Sequence, residues 1–122
     1  MNIFSRPIKG SKINMMRSDV VFKECTVSQY INWIINIEEN IKSDPHVKEC
    51  KVLSRKDDGM PSSLYYRMKL TGMSERDCCM TFEKFDLDDG RIIFITKGFE
   101  HPDYPVTSKI IRLDIYSASQ VY

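Results

Sequence analysis

No apolar run in this chain approaches the roughly 20 residues that a membrane-spanning helix needs. Neither sign of charge is in excess, because 18 basic residues against 17 acidic ones leave a net +1. That balance supplies no overall field to gather nucleic acid or an anionic membrane. Basic residues are interleaved with acids along the predicted strands, so no nucleic-acid partner is expected. Glycine is sparse and scattered, and none of the five forms the Gly-x-Gly-x-x-Gly pattern of a phosphate-cradling loop. Histidine is nearly missing. His46 and His101 each sit beside a proline in a predicted turn, and His101 has Glu100 and Asp103 near it. No elbow motif holds a serine or cysteine nucleophile for either histidine.

The cysteines exclude further chemistry. Cys25, Cys50, Cys78 and Cys79 show no Cys-x-x-Cys spacing, and two histidines are too few to complete a structural zinc site. Cys78 and Cys79 are adjacent in a predicted strand, so their side chains leave opposite faces and do not bridge. No helix N-terminus lies beside Cys78 to lower its pKa. All four read as small buried hydrophobes. Free thiols without a signal peptide fit a reducing compartment, the cytoplasm. The expectation is a non-enzymatic chain with no metal and no cofactor.

What is present is an ordinary globular composition, 42% hydrophobic and 29% charged, over 122 residues. That is one domain, large enough to remove roughly two-thirds of its unfolded surface from water. Residues 1–18 form a basic lead-in holding Arg6, Lys9, Lys12 and Arg17 and no acid. An acid-free start is also what a mitochondrial targeting segment shows, but Pro7 and Gly10 interrupt any amphipathic helix, which favours a disordered or loosely docked segment. A weak, transient contact of these four charges with lipid headgroups fits either reading.

From Asp19 the pattern is regular. Val20–Cys25 reads as a short strand. Thr26 with Gln29 has the spacing of a capping box, and Val27, Tyr30, Ile31, Ile34, Ile35, Glu38 and Ile41 follow helical periodicity, with Glu38 the only polar break. The reading is one long N-terminal helix reaching Lys42 and stopped by Asp44-Pro45. Trp33, off the apolar stripe, either seats the helix against the sheet or contacts a ligand. Strands are predicted at Val47–Arg55, Ser63–Leu70, Cys78–Phe85, Arg91–Phe99 and Ser108–Tyr116, with Asp57-Asp58-Gly59 and Asp88-Asp89-Gly90 as hairpin turns. The fold class is α+β, a curved antiparallel sheet with one helix. Such a sheet must cover its apolar face, since exposed apolar area costs roughly 25 cal/mol per Å². One helix is too little for that, which leaves a further element, another chain or an apolar ligand.

The order of several fragments resembles the START (StAR-related lipid transfer) domain family of the helix-grip superfamily. They are Asp44-Pro45-His46-Val47-Lys48-Glu49, Tyr65-Tyr66-Arg67-Met68-Lys69-Leu70, Ser74-Glu75-Arg76-Asp77, Asp88-Asp89-Gly90, His101-Pro102-x-x-Pro105 and Ile111-Arg112-Leu113. The resemblance covers residues 19–122, the N-terminal two-thirds of the family fold. It implies a curved sheet gripping a C-terminal helix around a phospholipid, sterol or ceramide, with no catalysis by default. Arg76, Asp77 and Arg112 match the family's Arg-Asp pair and its later strand arginine, and are expected to fix the sheet edge and the mouth of the pocket. Where several members carry a buried arginine six positions after the Arg-Asp arginine, this chain has Phe82, which favours an apolar or differently anchored lipid.

Two functions are therefore expected from different classes. The first is non-catalytic lipid binding or transfer in a hydrophobic cavity, with Cys78, Met80, Phe82, Ile93, Ile95, Ile111 and Leu113 as tail contacts by strand alternation. In the family the remaining strands and lid helix follow the position of Tyr122. The second is therefore a degenerate START-like structural subunit, its apolar face covered by a second copy (a homodimer) or a protein partner.

Overall fold

Strand pairing organises nearly all of the chain in the computed structural model, which describes residues 1–122. Two strands, β1 (Asn2–Pro7) and β2 (Asn14–Asp19), form an antiparallel hairpin that is a sheet of its own. The basic lead-in, expected as a disordered or loosely docked segment, therefore holds a regular element. The strand expected at Val20–Cys25 does not form. That segment finds no pairing partner, and Val20, Val21 and Phe22 remain exposed.

The capping box at Thr26 is present in both directions. Gln29 N–H donates to Thr26 Oγ1 at 3.2 Å, and Thr26 N–H donates to Gln29 Oε1 at 2.8 Å. The helix it starts is shorter than expected. α1 (Val27–Ile35) ends at Asn36, whose φ of −100° and ψ of 28° leave the helical region, and α2 (Ile37–Asn40) follows as a single turn. Asparagine side chains cause the break. Asn36 Nδ2 donates to the Asn32 carbonyl and Asn40 Nδ2 to the Trp33 carbonyl, each at 2.9 Å. Side-chain amides thus bond the carbonyls of the last turn, the competition that makes asparagine a poor interior helix residue.

The main sheet contains β3 (Val47–Arg55), β4 (Pro61–Met68), β5 (Arg76–Asp86), β6 (Ile92–Gly98) and β8 (Tyr116–Val121) in that order, all neighbours antiparallel. A two-residue strand, β7 (Ile111–Arg112), runs parallel to the start of β5. The single strand expected at Ser108–Tyr116 is thus replaced by β7, a crossing and β8. The cause is steric. β6 takes the same edge of β5 from Met80 onward, so a chain running beside Arg76 and Asp77 must step off. It does so at Asp114–Ile115, where Gly98 N–H donates to the Ile115 carbonyl, and then pairs along the free edge of β6.

The core is small. Ile34 of α1, Met60 and Phe94 form its centre, with Tyr30, Ile31, Ile35, Phe82, Ile92 and Val121 packed around them. Glu38, the polar break in the helical stripe, faces the sheet, where its Oε1 accepts the Val52 N–H of the edge strand β3 at 2.6 Å. Arg55 reaches back to donate to the Ile35 carbonyl at 2.8 Å, tying the end of α1 to the sheet. No helix is long and apolar enough to cross a membrane.

Candidate functional site

Cross-strand partners share a face, so the register assigns every sheet residue to one side. Phe82 pairs with Thr96 and Lys84 with Phe94, which puts Phe82 and Phe94 together on the face that α1 covers. Leu64 pairs with Met80 and Val52, and Tyr66 pairs with Cys78 and Cys50, so these join the same face. The result is a continuous apolar surface across β3, β4, β5 and β6. Helix α1 covers only the end near Phe94. Nine residues of 122 are fully buried, and Met80 and Phe82 at the middle of this surface remain partly exposed.

The expected tail contacts divide between the two faces. Cys78, Met80 and Phe82 lie on the α1 face, and Ile111, paired with Arg76, shares it at the margin. Ile93 and Ile95 do not: they pair with Phe85 and Glu83 and leave the opposite face. The inversion arises at the turn. Leu87 N–H donates to the Arg91 carbonyl across a three-residue loop, Asp88-Asp89-Gly90, with Gly90 at φ 82°. Such a loop has one residue more than a two-residue hairpin and so exchanges the faces of the returning strand. Phe94, absent from the expected contacts, takes the inward place, its ring centroid 5.2 Å from that of Phe82. The length of that loop is the signal that would have found it. Leu113 follows β7 and is half-buried, its N–H donating to the Asp77 carbonyl at 2.8 Å.

The opposite face carries the polar cluster. Glu49, Arg67, Asp77 and Arg112 are successive partners across β3, β4, β5 and β7, giving a row of alternating charge. Its inner end is tight. Arg112 donates from Nε to Asp77 Oδ1 at 2.7 Å and from Nη2 to Asp77 Oδ2 at 3.2 Å, with a third bond to the Tyr104 carbonyl at 2.8 Å. Tyr65 donates to Asp77 Oδ2 at 3.1 Å, and its ring stacks on Tyr104 with centroids 3.9 Å apart. Burial, then the bond to Asp77, raises the Tyr65 phenol above its ordinary value. The bond to Asp77 raises the Arg112 guanidinium further above its ordinary value. Asp77 is buried and Arg112 largely so, which sets the pair apart from a solvated surface bridge. Arg76 takes no part: its guanidinium donates to the Ser74 carbonyl at 2.9 Å.

Two open clefts flank the sheet. One, of about 440 Å³, is lined by Glu100, His101, Pro102, Tyr104, Pro105, Val106 and Arg112. It lies over the buried ion pair, with His101 stacked at an angle against Tyr104. The other, of about 510 Å³, is lined by Phe22, Glu24, Cys25, Gln29, Tyr30 and Trp33, and so places Trp33 beside an apolar groove on α1. No group of three or more His, Cys, Asp or Glu side chains is arranged to hold a metal ion.

No protein-family model matches the chain, and no curated protein does. Among solved structures it is similar to a fragment of the STAR-related lipid transfer protein from Xanthomonas axonopodis, with a TM-score of 0.74 at 20% identity. The likeness covers 97% of this chain and 64% of that one, so the chain spans less than two-thirds of the structure it matches. At that identity the likeness shows the fold, which is α+β and START-like.

Proposed function

We propose that this chain binds and transfers a lipid, a phospholipid or a sterol, held without catalysis against the α1 face of the main sheet. The observation that carries the reading is the apolar face on which Met80 and Phe82 remain partly exposed between the buried Leu64 and Phe94, with α1 covering one end. An acyl chain or sterol ring system laid on it would remove apolar area from water at roughly 25 cal/mol per Å² without asking for hydrogen bonds. The START-like fold and the lipid-transfer function for which the similar structure is named support the same ligand class. Phe82 supplies apolar area on that surface and offers no charge to a head group. The buried Asp77–Arg112 pair stiffens the far side of the sheet at the mouth of the His101 cleft. Four free cysteines fit a cytoplasmic setting.

The two faces provide the test. Met80→Asp puts a charge on the proposed ligand surface, while Ile95→Asp puts one on the other side of the neighbouring strand. Purified with a fluorescent phospholipid or sterol, the folded Met80→Asp protein should retain at least tenfold less probe, and Ile95→Asp should retain it as the unmodified chain does. Equal retention by both variants would place the ligand elsewhere.

A further inference from the structure

The β1–β2 hairpin concentrates charge of one sign. Residues 1–18 hold four of the chain's 18 basic residues and none of its 17 acids, which gives +4; the remaining 14 basic and 17 acidic residues give −3. The near-neutral total therefore hides a polarised molecule. Every residue from Met1 to Asp19 is exposed. Arg17 is bonded to Asp19 at 2.8 Å, and the hairpin offers no acid to Arg6, Lys9 or Lys12.

The tip adds a second observation. Ile8, Lys9, Gly10, Ser11, Lys12 and Ile13 connect the strands in a defined turn. Ser11 N–H donates to the Ile8 carbonyl at 3.0 Å, Gly10 has φ 78°, and Ile13 N–H donates to Ser11 Oγ at 3.1 Å. Two aliphatic side chains thus flank two lysines, with Ile13 75% exposed and Ile8 42%. Farther along, Phe4 and Met16 are also more than half exposed. Isolated exposed apolar residues are ordinary, but a set clustered on a hairpin whose one acid, Asp19, is taken by Arg17 is not.

We infer that this hairpin docks the protein on an anionic lipid surface, with Ile8 and Ile13 entering the boundary between headgroups and acyl chains and Lys9 and Lys12 among the anionic headgroups. Charge complementarity selects this occupant. A second copy would set another hairpin of the same sign, with four basic residues to the single acid Asp19, against the first. Nucleic acid would find the charge but, at the tip, only aliphatic side chains and no ring for a base to stack on. A bilayer satisfies both features, because basic residues are attracted to its anionic surface and apolar ones gain from burial below it. The inference is independent of whether the main sheet holds a ligand.

The test is co-sedimentation of the full chain with vesicles of phosphatidylcholine containing phosphatidylserine, against vesicles of phosphatidylcholine alone. Binding should need the anionic lipid and weaken as salt is raised. Lys9→Gln together with Lys12→Gln should lower partitioning on the order of tenfold or more, and Ile13→Ser severalfold. These tip side chains pack against nothing in the main sheet, so circular dichroism and thermal unfolding should stay unchanged. Tip variants that partition like the unmodified chain would overturn the inference, as would equal binding to neutral vesicles. A hairpin-dependent dimer without vesicle binding would also overturn it and assign the hairpin to a second copy. Extraction of bound lipid from the same variants reads the ligand separately.

Discussion

At the scale of single residues, Asp77 and Arg112 matter most, because each would leave the other's charge buried if removed alone. Arg112→Met is expected to cost about 3–5 kcal/mol in urea unfolding, and adding Asp77→Asn should restore part of that loss. Tyr65→Phe, which removes one donor to the carboxylate, should cost about 1.5–3 kcal/mol. The cysteines make a prediction about pH. Burial pushes the Cys78 thiol up from 9.0 to about 12, with the Asp77 charge second, and burial pushes Cys50 up to about 11. The folded state therefore holds these protons where the unfolded chain releases them. The resulting stability is complete below pH 9.0 and lost as pH rises toward about 12. The urea midpoint should fall over that window, and less steeply in Cys78→Ala. The sequence marked Arg76, Asp77 and Arg112 as a group but not which arginine pairs with the acid. That choice follows from β7 running parallel to β5, a long-range pairing that no local pattern announces.

At the scale of elements, Gly98 is the hinge of the topology. A Cβ there would lie 3.1 Å from Asp114 Oδ1 and 3.2 Å from the Ile115 amide nitrogen, where the chain steps from β5 to the edge of β6. Gly98→Ala should destabilise by about 1–3 kcal/mol, with faster amide hydrogen exchange in β8 than in β3 or β4. Strands β3 to β6 were legible because alternation and the two Asp-Asp-Gly turns are local signals. The break in the helix was not, because it depends on two asparagine side chains bonding carbonyls a turn or more away. Nor was the inward face of β6, since it depends on the Asp88-Asp89-Gly90 loop holding three residues rather than two, and that one residue decides which of Ile93 or Phe94 turns inward.

At the scale of the whole molecule, the chain is a sheet with one side braced by the Asp77–Arg112 pair and one apolar side partly covered by α1, plus a basic hairpin built as a separate sheet. Sequence reasoning reached the fold class from the order of its landmarks and the need to cover an apolar face. It read residues 1–18 as a disordered or loosely docked lead-in, because the β1–β2 pairing is not marked by alternation. The proposed function stands or falls on whether a lipid occupies the apolar side. Native mass spectrometry of the purified chain, followed by denaturing extraction, tests this most directly. The expected result is a small molecule of lipid mass, about one per chain, that is released on unfolding. An empty and stable chain, or one that is empty and found only as a dimer or with a protein partner, would contradict it.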